Sequence, residues 1–177
     1  KQQPLTSHKI IEEFMIAANV AAARRLQQSK LPVMYRVHER PAEEKLKEIK
    51  PLLETLKLKL PDYNALKPQH FNRLLELCRQ KGNASGIDDL ILRLQCQARY
   101  APENIGHFGL GLNEYVHFTS PIRRYADLLI HRALLNACQI EEANESLPSP
   151  RAFSETAEHL CITERNAVAA ERDLTAR

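Results

Sequence analysis

Eight consecutive residues, Phe118-Thr119-Ser120-Pro121-Ile122-Arg123-Arg124-Tyr125, concentrate groups suited to gripping an anion. By residue type they predict a helix start, with Thr119 or Ser120 as the cap and Pro121 at the first helical position. Arg123 and Arg124 then fall in the first turn, where the helix dipole is already positive and a surface cation is disfavoured by about 0.3–1 kcal/mol. The placement makes sense if an anion lands there, because free backbone N–H groups, a positive dipole and two guanidinium forks form a phosphate site. Arg123, Asp127 and His131 recur at intervals of four and share one helix face. Arg124, Leu128 and His131 line a neighbouring stripe, and Leu129 and Ala133 continue an apolar side from Ile122. The spacing alone equally allows a structural Arg123–Asp127 ion pair on an amphipathic helix. The order cap–proline–arginine and the approach to it favour phosphate.

That approach is Gly106-His107-Phe108-Gly109-Leu110-Gly111-Leu112, which holds three of the five glycines. Glycine this dense among aromatics predicts backbone held close to something. His107 and His117 flank the loop and can touch a ligand, or act as hydrogen-bonded core or rim residues. The acidic residues come as doublets: Glu12-Glu13, Glu43-Glu44, Asp88-Asp89 and Glu141-Glu142. Two-metal hydrolysis of a phosphodiester needs several convergent carboxylates, and no tight cluster of aspartates is present. Asp88-Asp89 suits the first turn of a helix, and Glu43-Glu44 and Glu141-Glu142 read as solvated surface. Glu12-Glu13 differs, because the surrounding helix is otherwise nearly all apolar and a carboxylate there needs a partner or a job. A buried ion pair and a functional role both remain open for it. Glu164 and Glu171 lie seven apart on one face of the last helix, a charged face that is usually just solvated. The seven histidines show no metal-ligand spacing, and no Ser/His/Asp set, Cys/His set or P-loop is found.

The elements that must position these groups are mostly helical. Ser7 can cap a first helix to about Gln28, whose apolar residues Ile10, Ile11, Phe14, Met15, Ala18, Ala21, Ala22 and Leu26 cover an arc wide enough for burial on more than one side. Val33 to Val37 reads as a short strand. Pro41 opens a second helix with Leu46, Ile49, Leu52, Leu53 and Leu56 on one face. Residues 57–67 are a loop. Pro68 begins a third helix carrying Phe71, Leu74, Leu75, Leu77 and Cys78, ended by Lys81-Gly82-Asn83. Ser85, with Asp88 as a capping-box partner, opens a fourth whose apolar face is Leu90, Ile91, Leu94 and Ala98. Tyr115 to Phe118 reads as a strand leading into the arginine turn. The helix from Pro121 runs to about Cys138, residues 141–150 form a polar loop, and the last helix runs from about Phe153. There is no internal repeat.

The bulk numbers bound the reading. With 177 residues the chain can bury a real core, and 44% hydrophobic and 27% charged residues are ordinary for a globular protein. A net charge of +3 neither demands nor excludes a polyanionic partner. No apolar run approaches the roughly 20 residues of a membrane span, and no signal peptide is visible. Cys78, Cys96, Cys138 and Cys161 are widely spaced in apolar, helix-like contexts, which predicts reduced, buried thiols in a cytoplasmic protein.

Taken together, these segments resemble the catalytic RNB domain of the ribonuclease II / ribonuclease R family. The likeness begins at His8-Lys9-Ile10-Ile11-Glu12-Glu13-Phe14-Met15-Ile16-Ala17-Ala18-Asn19 and continues through Tyr35-Arg36-Val37-His38 with Pro41, as in the ribonuclease R branch. It is strongest over Pro102-Glu103-Asn104, Gly106 to Leu110, Tyr115 to Tyr125, Asp127 and His131-Arg132, and it ends at Ala170-Glu171-Arg172-Asp173. The resemblance implies a predominantly helical α+β fragment with a few short strands, residues 1–177 being the C-terminal part of a single RNB domain. It implies a processive 3′→5′ exoribonuclease that releases nucleoside 5′-monophosphates from single-stranded RNA by a metal-activated water, with Mg2+ as cofactor. Arg123 matches the arginine that contacts the scissile phosphate, Glu12 a glutamate near the terminal nucleotides, and Glu171 a glutamate that holds RNA back. Arg124, Tyr125, His107, Gly109, Tyr115, Ser120 and His131 would line the RNA channel. The metal-binding aspartates of the family lie upstream of the matching region, and its cold-shock and S1 modules flank it. The resemblance therefore implies that the metal ligands and the partnering first half of the domain are not in this stretch. The isolated stretch is expected to be inactive as a nuclease, with apolar surface exposed on the first helix. Two rivals stand beside this: a non-catalytic helical RNA-binding or interaction module derived from an RNB relative, and a helical scaffold that binds no RNA.

Overall fold

A computed structural model of the chain describes residues 5–55, 57–80, 87–140 and 147–175. The helices are α1 Thr6–Ser29, α2 Glu43–Thr55, α3 Pro68–Gln80, α4 Ile87–Leu94, α5 Tyr125–Ala137 and α6 Pro150–Thr175. The strands are β1 Tyr35–Val37 and β2 Arg99–Ala101. The architecture is the expected helix-dominated α+β. The chain forms two compact units, one of residues 1–37, 99–104 and 114–177, the other of residues 38–98 and 105–113.

The first unit holds α1, α5, α6 and a two-stranded antiparallel sheet in which Tyr35 faces Ala101 and Val37 faces Arg99. α1 packs on α5 and α6 packs on β2. Small residues on both helices, Ala22 and Ala23 on α1 and Ala126 and Ala133 on α5, are all buried in this core beside Leu26, Leu129, Ile130 and Phe153. Each large aliphatic or aromatic side chain withdrawn from water here contributes about 1.5–3 kcal/mol. α1 stops where Lys30 turns left-handed at φ 58, with Pro32 next to prevent continuation.

The second unit buries the faces that helical spacing marks out: Leu46, Ile49 and Leu53 of α2, Phe71, Leu74 and Cys78 of α3, Ile91 and Leu94 of α4. Leu52 is exposed, and Leu56 lies outside the described residues, as do the proposed stop at Lys81-Gly82-Asn83, the Ser85 cap with the Asp88 side chain, and Glu141-Glu142 with most of the polar loop.

Several expectations are corrected. α1 is not buried on several sides along its length. Its buried residues begin at Asn19, and Ile10, Ile11 and Phe14 before it are exposed, Phe14 to 67%. Glu12-Glu13 therefore faces solvent and has no burial to offset. Ser7 lies inside α1, whose N-cap is Leu5 with no side-chain bond. Residues 115–118 form no strand; one isolated bridge joins Tyr35 to Val116, and the true partner of β1 is β2. Residues 57–67 contain a short 3-10 turn at Tyr63–Ala65. All four cysteines are free, but only Cys78 is buried, and Cys138 is exposed.

Candidate functional site

The helix that carries the arginines starts later than residue types suggest. Ser120 to Arg123 form a turn, with the amides of Arg123 and Arg124 both donating to the Ser120 carbonyl at 3.3 and 3.2 Å. Pro121 takes the second place of that turn, where its fixed φ fits as well as it would inside a helix. Arg124 is then extended at φ −129, ψ 118 and serves as N-cap without a side-chain bond. Neither Thr119 nor Ser120 caps the helix, and the buried Thr119 Oγ1 makes no hydrogen bond among the described residues. Ile122 does not continue the apolar face of α5; it is 97% exposed at the tip of the turn.

Asp127 explains the shift. It occupies the first turn of α5, where the dipole favours an anion, and it is 0% exposed. Its Oδ1 accepts from the Ser120 amide at 2.8 Å and from Arg124 Nη2 at 2.8 Å, and its Oδ2 accepts from Arg124 Nε at 2.7 Å. The alternative of an Arg123–Asp127 pair is not formed; a bidentate Arg124–Asp127 pair three residues apart takes its place. Removing one partner of such a buried pair costs about 3–5 kcal/mol, because the other is left uncompensated. Arg123 is left exposed, and its guanidinium makes no hydrogen bond or ion pair among the described residues. Tyr125 is also exposed, one residue past the cap.

The segment entering the turn is fastened by side chains rather than by a sheet ladder. The Asn19 amide of α1 donates to the Tyr115 hydroxyl at 2.9 Å and accepts from the Phe118 amide at 2.9 Å. His131 stacks on Phe118 at 4.4 Å, and its Nε2 lies 2.9 Å from the Phe118 carbonyl, so this nitrogen is the donor. Tyr115 is buried, and it and His131 support the segment rather than facing solvent. His117 Nδ1 meets the Tyr100 hydroxyl at 2.9 Å. Burial pushes the Tyr100 phenol up to about 12, with smaller contributions from Arg36, Glu164, Arg124 and Asp127 that partly cancel, so it stays protonated. Arg36 lies over the Tyr100 ring at 4.7 Å and closes a two-pronged pair with Glu164 of α6 at 2.7 and 2.9 Å. Glu164 is therefore not merely solvated, a role its helix-face spacing alone does not reveal.

Glu12 on α1 and Glu171 on α6 are exposed, and no hydrogen bond or ion pair among the described residues joins either to the arginine turn. His107 and Gly109 belong to the second unit. There the glycine turn wraps on His38, a residue with no assigned role in the sequence: its Nδ1 accepts from the Gly109 amide at 3.0 Å, and its ring stacks on His107 at 5.1 Å. His107 Nδ1 accepts from the Leu110 amide at 3.2 Å.

Among the described residues no group of three or more His, Cys, Asp or Glu side chains is placed to hold a metal ion. Of the acidic doublets, Glu43 is closed on Lys47 at 3.0 Å. No helix of the described residues is long and apolar enough to cross a membrane.

Comparison with known proteins adds a family. The RNB domain profile matches residues 1–140. Ribonuclease R of Escherichia coli strain K12 is 38% identical over 176 residues, covering 95% of this chain and 22% of that protein. Ribonuclease R of Aquifex aeolicus is 40% identical over 167 residues, covering 94% of this chain and 24% of that protein. The chain thus spans a fifth to a quarter of the length of these relatives. Among solved structures, Mycoplasma genitalium RNase R in complex with ribose-methylated single-stranded RNA superposes with a TM-score of 0.82 at 29% identity, over 97% of this chain and 28% of that one.

Proposed function

This chain belongs to the RNB domain family, and on that premise we propose that it is part of a processive 3′→5′ exoribonuclease that hydrolyses single-stranded RNA to nucleoside 5′-monophosphates. The observation that carries the reading is the divergence of two adjacent arginines. Arg124 is spent on Asp127, whereas Arg123 is presented to solvent at the mouth of a helix N-terminus with its guanidinium unengaged. A planar guanidinium matches two phosphate oxygens, and the α5 dipole adds to its field. Arg123 holds the scissile phosphate and balances charge that develops on it during hydrolysis. Support comes also from the RNA bound by the Mycoplasma genitalium relative.

Within this reading Glu12 lies near the terminal nucleotides and Glu171 opposes forward slippage of RNA. Ser120 and Tyr125 of the first unit contact RNA, and so, separately, do His107 and Gly109 of the second. Tyr115, Arg124 and His131 shape the turn from behind. The Mg2+ of the reaction is held by carboxylates elsewhere in the parent protein, in the part of the RNB domain that partners this one. The free cysteines suit a cytoplasmic enzyme.

The test uses the parent enzyme and 5′-labelled single-stranded RNA. Arg123→Ala is expected to lower kcat by about 10²–10³-fold, the loss typical of one charge-stabilising donor, with the Tm unchanged. Arg124→Ala is expected instead to lower the Tm, since it leaves the buried Asp127 carboxylate without a countercharge. Wild-type turnover in Arg123→Ala sinks the proposal. So does robust exonucleolysis by this chain alone that Arg123→Ala abolishes, because that locates the whole catalytic apparatus here.

A further inference from the structure

Asn19 is an anomaly in α1. It is an amide 3% exposed on a helix whose other buried residues, Val20, Ala22, Ala23 and Leu26, are all apolar. Burying an unsatisfied amide costs about 1–3 kcal/mol, so such a group persists where both of its ends are used. Both are used here, and on one target: the Nδ2 donor meets Tyr115 and the Oδ1 acceptor meets the Phe118 amide. A single side chain therefore spans four residues, Tyr115 to Phe118, of the segment that leads into the arginine turn. Other side chains hold it at its ends: Arg24 of α1 pairs with Glu114 at 2.7 Å just before it, and His117 meets the Tyr100 hydroxyl, but Asn19 ties Tyr115 and Phe118 together through one side chain. Its backbone contributes one isolated antiparallel bridge, Tyr35 to Val116, whose bond from the Arg36 amide to the Tyr115 carbonyl measures 2.9 Å.

The fastening continues toward Arg123 on both sides of Thr119. Asn19 pins the Phe118 N–H, His131 pins the Phe118 carbonyl, and Asp127 pins the Ser120 N–H. α1 supplies the first fastener and α5 the other two. Glu12 stands seven residues before Asn19 on the same helix and so on the same face. At 1.5 Å per residue the two are separated by about 10 Å along a rigid rod.

We propose that Asn19 is a positioning residue. It fixes the segment that delivers Arg123 against the helix that bears Glu12, and so sets the geometry in which phosphate and terminal nucleotide are held. The inference rests on the reading of Arg123 as the phosphate ligand. It assigns Asn19 no contact with RNA. Tyr115, through its hydroxyl, is the accessory half of the same fastener.

The experiment is a coupling measurement in the parent enzyme on single-stranded RNA, with kcat, KM and Tm read for Asn19→Ala, Tyr115→Phe, Arg123→Ala and each of the first two combined with Arg123→Ala. Misplacement of a reacting group by about 1 Å can cost up to 10²-fold, so Asn19→Ala is expected to lower kcat about 10- to 100-fold with KM little changed. Tyr115→Phe keeps the Phe118 contact and is expected to lose less, about threefold, a milder change that also guards against Asn19→Ala failing to fold. Because both act through Arg123, neither is expected to lower kcat further in the Arg123→Ala background. Full additivity overturns the proposal, as does a lowered Tm with kcat intact, since a purely structural amide gives either. An Arg123→Ala enzyme with wild-type kcat overturns the phosphate reading and the role of Asn19 with it. Additivity in the face of an impaired Arg123→Ala overturns the role of Asn19 alone.

Discussion

Arg123 and Arg124 are adjacent and chemically identical, yet one guanidinium is closed on a fully buried carboxylate and the other faces water. Sequence spacing allowed an Arg123–Asp127 pair beside a phosphate role for Arg123, because a four-residue interval presumes that the helix already contains both ends. The turn at Ser120 to Arg123 delays the helix, and the interval that counts becomes the three residues from Arg124 to Asp127. Behind the turn, Tyr100 makes a separable prediction. Its phenol is raised from 10.0 to about 12, chiefly because burial penalises the anion. The folded state thus binds the proton more tightly than the unfolded chain does. The stabilisation is fully present below pH 10 and is lost as pH climbs through about 12. Urea unfolding of the wild type and Tyr100→Phe across pH 8–12 is expected to give a stability difference that is constant at the low end and moves in favour of Tyr100→Phe above pH 10. A difference that stays flat to pH 12 refutes the shift.

The glycine turn shows how far a pattern of residue types reaches. Glycine density announces that backbone is held close to something, and here that something is the chain itself. Gly106 has φ +77, and a Cβ on it would stand 3.1 Å from the Leu112 carbonyl oxygen. Gly109 rests on the His38 ring, where a Cβ finds ordinary contact at 3.4 Å. Gly106→Ala is therefore expected to destabilise the second unit by about 1–2 kcal/mol for the left-handed backbone alone, and more for the close carbonyl. Gly109→Ala is expected to stay within about 0.5 kcal/mol of wild type. Denaturant melts of the two variants decide it, and equal losses contradict the assignment. The helices were legible because their apolar residues recur at helical spacing, as Leu46, Ile49 and Leu53 or Phe71, Leu74 and Cys78 do. β2 was not, since three residues, Arg99-Tyr100-Ala101, are too few to show alternation. The side chains that hold the site were the least legible: Asn19, His38 and Asp127 act on residues 96, 71 and 7 positions away, distances that local patterns do not encode.

α1 divides the molecule's apolar surface unevenly. From Asn19 onward it packs into the core, whereas Ile10, Ile11, Phe14 and Met15, neighbours on one helical face, are exposed. A continuous stripe of this kind marks a surface that expects a partner. The chain spans a minor share of its relatives' length, and the proposed enzyme needs a further part of the RNB domain to supply metal ligands. On the proposed reading that part covers the stripe and meets α1 beside Glu12, bringing the metal and the terminal nucleotide to the same helix. The reading predicts opposite outcomes in two settings. In this chain alone, Ile10→Glu and Phe14→Glu are expected to change unfolding stability by no more than about 0.5 kcal/mol, since the stripe is already wet, and to reduce any self-association seen by sedimentation. In the parent enzyme the same substitutions place a charge in a buried interface and are expected to cost about 3–5 kcal/mol, comparable to losing a core phenylalanine. Equal effects in the two settings mean that nothing covers the stripe, and the proposed meeting of the two parts beside Glu12 then falls.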